Sequence, residues 1–131
     1  MKEVCEYLKK CVTYYLATVE GDQPRVRPFG SIEIFEDKLY FLTGRIKDVS
    51  KQMEANPKIE ITGVGGKGEW IRVEAEAVAD DRIEAQTHVL DAYPTLKSVY
   101  APGDGNLVVY YLKNATARFC SVTGEPRIVK F

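Results

Sequence analysis

The stretch Trp70-Ile71-Arg72-Val73-Glu74-Ala75-Glu76-Ala77-Val78-Ala79 alternates apolar and polar side chains along most of its length. Its odd-numbered residues are apolar and fall on one face, whereas Arg72, Glu74 and Glu76 fall on the other. This alternation is typical of a β-strand with one buried face and one exposed face. Because antiparallel sheets are built from such strands, the stretch predicts a mainly β, antiparallel fold.

The residues on either side predict further strands of an antiparallel meander. Apolar, β-branched and aromatic runs are separated by Gly21-Asp22, Glu36-Asp37-Lys38 and Lys113-Asn114, which read as turns. Residues 123–131 are expected to form a tail that can pack on a neighbour. The other predicted strands are residues 13–20, 24–35, 39–43, 58–64, 107–112 and 115–122.

Three other segments place apolar side chains three and four residues apart, the spacing of an amphipathic helix. They are residues 1–11, residues 45–55, and a segment that begins with a capping box of Asp81 and Glu84 and reaches Tyr93. Six or seven strands with two or three helices, and no β-α-β order, favour a β-barrel with helices at its ends. The length of 131 residues predicts a single domain over residues 1–131.

Composition excludes several classes of function. A formal net charge of -1 argues against general nucleic-acid binding, and no apolar run approaches the roughly 20 residues of a membrane span. The N-terminus lacks the apolar core of a secretory signal, and three cysteines without a CxxC pair suggest neither a disulfide framework nor zinc. We therefore expect a protein of the reducing cytoplasm. With His88 as the only histidine, any chemistry is expected to come from a bound organic cofactor.

The segment Arg25-Val26-Arg27-Pro28-Phe29 is the first candidate site. Arg25, Arg27 and Phe29 share one face of a strand, where guanidinium groups can bind an anion or a planar ring. Pro28 cannot donate a hydrogen bond to a neighbouring strand, so it belongs at an edge. The alternative is a solvated strand edge whose arginines pair with Glu33 or Glu74.

Thr43-Gly44-Arg45-Ile46-Lys47 is the second candidate site, at a predicted strand-to-helix junction. Cations oppose the dipole of a helix N-terminus, so Arg45 and Lys47 there suggest an external anion, most simply a phosphate. The alternative is that both are ordinary solvated residues. The loop Gly65-Gly66-Lys67-Gly68 leads from strand to strand and reads as a flexible hairpin loop.

Trp70 reads as a core or interface anchor, and Tyr93, Tyr100 and His88 are the candidates for a proton donor. The order of these motifs resembles the pyridoxamine 5'-phosphate oxidase-like FMN-binding family, and above all its small, nitroimidazole-resistance (Nim-like) members. The resemblance rests on Arg25-x-Arg27-Pro28, the run from Leu39 to Gly44, Arg45-x-Lys47, Asn56-Pro57 and the stretch from Trp70 to Ala77.

This resemblance implies a split β-barrel homodimer with two FMN molecules, each in a cleft at the dimer interface. Arg27, Pro28 and Phe29 would face the isoalloxazine ring, and Thr43, Arg45 and Lys47 would hold the phosphate. Trp70 stands where many relatives have a glutamine that contacts flavin from the partner subunit. The chain lacks the C-terminal arginine and histidine segment of relatives that oxidise pyridoxamine phosphate, so that activity is not expected.

The sequence therefore predicts an FMN-binding flavoprotein, an oxidoreductase that passes hydride or electrons from a reduced donor such as a nicotinamide to a small organic acceptor. Its predicted cofactor-binding residues are Arg25, Arg27, Pro28, Phe29, Thr43, Gly44, Arg45, Lys47 and Trp70. The alternatives are a non-enzymatic FMN electron carrier and a dimeric interaction domain without cofactor. The deazaflavin F420 and haem remain open as cofactors.

Overall fold

A computed structural model describes residues 1–131 as eight β-strands, three α-helices and one 3-10 helix. None of the helices is long and apolar enough to cross a membrane. In chain order the elements are α1 (Lys2–Cys11), β1 (Tyr14–Glu20), β2 (Gln23–Phe29), β3 (Glu33–Phe35), β4 (Lys38–Gly44), α2 (Asp48–Ala55), β5 (Lys58–Val64), β6 (Glu69–Asp80), α3 (Ile83–Asp91), the 3-10 helix (Pro94–Ser98), β7 (Leu107–Ser121) and β8 (Arg127–Lys130).

The strands form one antiparallel sheet in the order β2-β1-β5-β6-β7-β4-β3, with β8 added beside β7. The two edge strands, β2 and β3, are consecutive in the chain and are joined by residues 30–32 alone. Three residues span at most about 10 Å, so the sheet must curl until its two edges come close. The result is a barrel that is split at the seam between β2 and β3, which confirms the predicted mainly β fold.

The core follows the alternation that the sequence shows in β6. Ile71, Val73, Ala75 and Ala77 are buried, and they join one cluster with large side chains of the other strands and of α1. A second, smaller cluster lies beneath α3. It contains Tyr40, Leu42, Ala85, Val89, Leu90, Tyr100, Leu107 and Val109.

Three of the predictions about where strands begin and end in the chain are wrong. The predicted strand 24–35 is two strands, because the chain leaves the sheet at Gly30 and re-enters it on the opposite edge at Glu33. The two strands predicted over 107–122 are one, β7, because Asn114 takes a φ of 52° at a β-bulge instead of reversing the chain. The predicted tail contains β8, which pairs with β7 and adds an edge to the sheet.

Two predicted helix starts are also wrong. The second helix, α2, begins at Asp48 and not at Arg45, because the backbone N–H groups of Arg45 and Ile46 donate to Asn106 instead of entering a helical turn. Its first turn therefore carries an acid, which suits the helix dipole. The predicted capping box of α3 does not form, since no side chain caps this helix and Arg82 precedes its first residue.

A charged network ties the β3–β4 turn to the end of β6. The Tyr40 hydroxyl donates to Asp80 at 2.7 Å, and the Arg82 guanidinium donates to both oxygens of Asp80 and pairs with Glu36 at 2.9 Å. The hydrogen bonds from Arg82 are the main reason that the pKa of Asp80 falls to about 2. Burial, and then the bond to Asp80, raises the pKa of Tyr40 to about 12.

We expect Asp80→Asn to lower the free energy of unfolding by ~2 kcal/mol at neutral pH. Because the pKa of Asp80 is lowered in the folded state, the stabilisation is complete above its unfolded value and is lost as the pH falls from about 4 to about 2. The gap between wild type and variant should therefore close over that range in urea unfolding. The matched change Asp91→Asn, in an exposed pair with Lys97, should cost less than ~1 kcal/mol.

Candidate functional site

A cavity of about 580 Å³ opens at the seam of the split barrel. One wall is the end of β2 and the link that follows it, a second is the end of β4 with the start of α2, and a third is the segment around the 3-10 helix. The cavity is open to solvent on one side. Its lining residues are Val12, Thr13, Arg27, Pro28, Phe29, Gly30, Ser31, Leu42, Thr43, Lys47, Val49, Tyr93, Thr95, Leu96 and Tyr100.

Arg27 is the cation at the inner wall of this cavity. Its guanidinium donates to the Leu16 carbonyl at 3.1 Å, to Thr18 Oγ1 at 2.7 Å, to Gln52 Oε1 at 2.6 Å and, weakly, to the Arg25 carbonyl at 3.5 Å, and all four acceptors are neutral. Burial is the main cause of a lowered pKa for Arg27, the neighbouring Arg25 lowers it further, and the nearby carboxylate of Asp48 raises it. None of the ion pairs in the chain involves Arg27, so no carboxylate binds its guanidinium directly.

Lys47 places a second cation without an ion pair at the cavity, immediately before α2. It takes part in none of the ion pairs of the chain, and its backbone N–H donates to the carbonyl of Gly44 at 3.1 Å. Its exposed side chain stands beside the backbone N–H groups of the first turn of α2. The ammonium group and the N–H groups of this helix N-terminus favour an anion at this end of the cavity, with the carboxylate of Asp48 standing beside them.

The hydroxyl groups of two buried residues complete the polar lining. Thr43 and Tyr100 are only 3% and 6% exposed, and neither hydroxyl takes part in a side-chain hydrogen bond of the chain. Their oxygens are not among the buried polar atoms of the chain that lack a partner, so they remain accessible from the cavity and are free to bond to a ligand. Gly44 allows this arrangement, because a Cβ there would lie 3.1 Å from the Tyr100 hydroxyl oxygen and from the Asn106 side chain.

Phe29 and Pro28 form the apolar part of the same wall. The Phe29 ring packs on Phe41 and Tyr14, with ring centroids 5.4 and 6.1 Å apart, so its position is fixed by the core. Pro28 lies on an edge strand, where its missing N–H costs no hydrogen bond. The cavity therefore offers a rigid aromatic edge between its two cations.

The structure brings Arg27, Pro28, Phe29, Thr43 and Lys47 together and leaves the other predicted site residues outside the cavity lining. Gly44 is buried behind it. The remaining three have other partners. Arg25 pairs with Glu20 at 2.9 Å beside a neighbouring depression, Arg45 pairs with Asp81 and Glu54, and Trp70 lines a third depression with Tyr7, Phe119 and Cys120.

The alternative of a solvated strand edge describes Arg25 and not Arg27. The partner of Arg25 is Glu20, whereas Glu33 pairs with Lys9 and Glu74 with Arg118. Lys67 and its neighbouring glycines join β5 to β6 as the expected hairpin loop.

The three candidate proton donors differ in what their polar atoms do. The Tyr93 hydroxyl is occupied, since it donates to the Ile32 carbonyl and accepts from the Ile32 N–H, both at 2.8 Å. His88 bonds to the Ile34 carbonyl and stacks on Phe35, outside the cavity lining. Of the three, only Tyr100 combines a place in the lining with an uncommitted hydroxyl.

Sequence reasoning missed Thr18 and Gln52, the polar residues that bind Arg27. Both are buried, at 2% and 7% exposure, and they contact each other at 2.5 Å between Thr18 Oγ1 and Gln52 Oε1. A signal for Gln52 is present, because it lies on the face of α2 that also buries Val49 and Met53. A glutamine side chain that is buried in this way needs a hydrogen-bond partner inside the protein.

A family model described as pyridoxamine 5'-phosphate oxidase matches residues 1–121. The chain belongs to this family. A crystal structure of a NimC/NimA family protein from Clostridium acetobutylicum is 45% identical, with a TM-score of 0.95 over 100% of this chain and 92% of that one. The suspected membership of the pyridoxamine 5'-phosphate oxidase family, and of its Nim-like members, is thereby confirmed.

More distant structures share the fold of this pyridoxamine 5'-phosphate oxidase family member. An F420 reductase is 15% identical, with a TM-score of 0.64 over 82% of this chain and 90% of that one. A heme binding protein from Mycobacterium smegmatis is also 15% identical, with a TM-score of 0.67 over 96% of this chain and 57% of that one. No curated protein matches the chain.

Proposed function

We propose that two copies of this chain form a cytoplasmic homodimer that binds FMN and acts as an oxidoreductase on a small organic acceptor. One observation carries the proposal. Two cations that form no ion pair, Arg27 and Lys47, line the same cavity as two hydroxyls that have no hydrogen-bond partner in the chain, those of Thr43 and Tyr100. Such a donor set suits an anionic ligand that has a phosphate at one end and a ring with polar edges at the other.

The charges of the lining residues and the volume of the cavity both suit FMN. Lys47, the Thr43 hydroxyl and the first turn of α2 would hold the phosphate, whereas the sequence predicts Thr43, Arg45 and Lys47 for this role. Arg27, Pro28 and Phe29 would lie against the ring. A volume of about 580 Å³ falls within the range of small-molecule and cofactor sites, roughly 300–1,000 Å³. Arg45 is held by Asp81 and Glu54, so we assign it the smaller share of the phosphate contact.

The open side of the cavity supports a homodimer with FMN at the interface. A chain of this size has little room to enclose a flavin inside its own barrel, and here the cavity is not closed by its own residues. Trp70 contributes nothing to the cavity of its own chain. It lies on the outward face of β6 with Arg72 and Glu74, where it could contact the FMN of the partner.

FMN, when bound, would supply the hydride and electron chemistry. The chain's own part is to bind and orient the cofactor and to place a positive charge, Arg27, where it stabilises a reduced, anionic ring. The Tyr100 hydroxyl could donate a proton at the cavity wall. The proposed electron donor is a nicotinamide. A non-enzymatic FMN carrier would use the same anchors without a defined acceptor site.

FMN is favoured over haem and over F420. Haem iron is held by a proximal histidine in many proteins, and here the single histidine, His88, lies outside the cavity lining, which argues against a histidine-ligated haem. The anion-binding end of the cavity is small, since it consists of Lys47, Thr43 and one helix terminus, which suits a single phosphate better than the longer charged tail of F420.

The test is the spectrum of the purified protein with added FMN. We expect flavin absorbance to shift, and flavin fluorescence to change, until one FMN is bound per chain. A protein that is colourless and gives no spectral change with FMN would reject both the enzyme and the carrier. To separate these two, reduced flavin would be followed anaerobically with nitroaromatics, quinones and pyridoxamine phosphate. Reoxidation no faster than that of free FMN would favour the carrier.

A further inference from the structure

The Arg27 guanidinium is held at one end by two oxygen atoms that belong to neutral side chains. Nη1 donates to Thr18 Oγ1, Nη2 donates to Gln52 Oε1, and these two oxygens are 2.5 Å apart because the Thr18 hydroxyl donates to Gln52. The pair occupies the end of the guanidinium much as the two oxygens of a carboxylate would, but it carries no charge.

This arrangement leaves one edge of Arg27 free. A guanidinium has five N–H donors, and the Leu16 carbonyl, Thr18 and Gln52 take three of them, with the Arg25 carbonyl sharing Nη1 at 3.5 Å. No acceptor in the chain bonds to the Nε–H or to the second Nη2–H. These adjacent donors form a fork that suits two neighbouring acceptors on a planar ligand.

We infer that Gln52 and Thr18 are positioning residues that hold Arg27 at the cavity and keep its positive charge available to the ligand. The inference rests on the proposed function, in which Arg27 faces the flavin ring. Arg25 differs from Arg27 in this respect, because it pairs with the carboxylate of Glu20 at 2.9 Å and its charge is compensated. A neutral amide orients Arg27 without that compensation, so the charge remains for the reduced, anionic form of the cofactor.

Gln52→Glu is the sharpest variant, because it keeps the shape of the side chain and places a carboxylate next to Arg27. We expect it to weaken binding of reduced FMN relative to oxidised FMN by about tenfold, which lowers the two-electron potential of bound flavin by about 30 mV. Gln23→Glu, at an exposed position on β2, adds the same charge without contacting Arg27 and should leave the potential near the wild-type value. Equal potentials for the two variants would overturn the inference.

Thr18 gives a second test that adds no charge. Thr18→Val removes the hydroxyl that joins Arg27 to Gln52, and we expect FMN affinity to fall about tenfold. Thr18→Ser keeps a hydroxyl at the same place and should restore most of that affinity. A valine variant that binds like the wild type, or a serine variant as weak as the valine variant, would contradict the positioning role.

A ligand-free measurement separates failure of this inference from failure of the proposed function. If wild type binds no FMN, the proposed function falls, and the acid unfolding of the Gln52→Glu protein still reports on Arg27. The introduced carboxylate would face Arg27, with Glu20, Arg25, Lys47 and Asp48 around the same depression.

Paired with Arg27, that carboxylate would have a pKa below its ordinary value of about 4.3. The variant should then be stable at neutral pH and lose stability relative to wild type as the pH falls below about 4. A variant that is destabilised at neutral pH and recovers on acidification would show a buried acid without a cationic partner, and would overturn the inference.

Discussion

Replacement of Lys47 by alanine is expected to weaken FMN binding about 30-fold, the loss of ~2 kcal/mol that follows from removing a charge-assisted contact to phosphate. Lys47 is the lining cation next to the N-terminus of α2, and it forms no ion pair in the chain. The measurement is a fluorescence titration of FMN with each purified variant. Folding should be unaffected, because the side chain is exposed.

Arg45→Ala is the matched control for Lys47→Ala. The Arg45 guanidinium already pairs with Asp81 and Glu54, so its loss should weaken FMN binding less than about threefold. Both residues stand in the same loop and both changes remove one positive charge. A larger loss from Arg45→Ala than from Lys47→Ala would place the phosphate on the other side of this loop and contradict the proposed site.

Introduction of a charge at Trp70 is expected to dissociate the proposed dimer and to abolish measurable FMN binding. Trp70 is half-buried on the outward face of β6, beside Cys120 of β7 and Val64 of β5. A carboxylate buried against a partner surface costs several kcal/mol, roughly enough to reverse a moderate association. Size-exclusion chromatography with light scattering should give one chain mass for Trp70→Glu and two for wild type.

Val99→Glu is the control for this change, since Val99 is 64% exposed and follows the 3-10 helix instead of lying on the sheet. It should leave both the mass and FMN binding unchanged. A Trp70→Glu protein that remains dimeric and binds FMN normally would show that the interface does not include this face of β6. Wild type with the mass of one chain would reject the homodimer itself.

Local alternation was sufficient to predict most of the sheet. The stretch from Trp70 to Ala79 lies in β6 with the predicted face buried, because two-residue periodicity reports burial directly. The turn predicted at Lys113-Asn114 is wrong, because an asparagine with positive φ occurs both in turns and in β-bulges. Only the long partner strand β6, which pairs with β7 on both sides of Asn114, decides between them.

The sequence predicts which cations lie at the candidate site, but it does not predict which side chains form ion pairs or hydrogen bonds with them. The sequence indicates Arg27 because guanidinium groups on a strand face can bind an anion or a planar ring. It indicates Lys47 because a cation next to a helix N-terminus opposes the helix dipole. The sequence could not distinguish them from Arg25 and Arg45, which differ only in having Glu20 and Asp81 within reach. Asp81 lies 36 residues from Arg45 along the chain, so this ion pair depends on the closed barrel. The same holds for Thr18 and Gln52, which meet only when α2 packs on β1.

The central claim is that the cavity at the β2–β3 seam binds FMN through its phosphate. Isothermal titration of the purified protein with FMN and with riboflavin tests this most directly, because the two ligands share the ring and differ in the phosphate. We predict one FMN per chain, bound at least about 100-fold more tightly than riboflavin, with that preference reduced by Lys47→Ala. Equal affinities for FMN and riboflavin, or no binding of either, would contradict the claim.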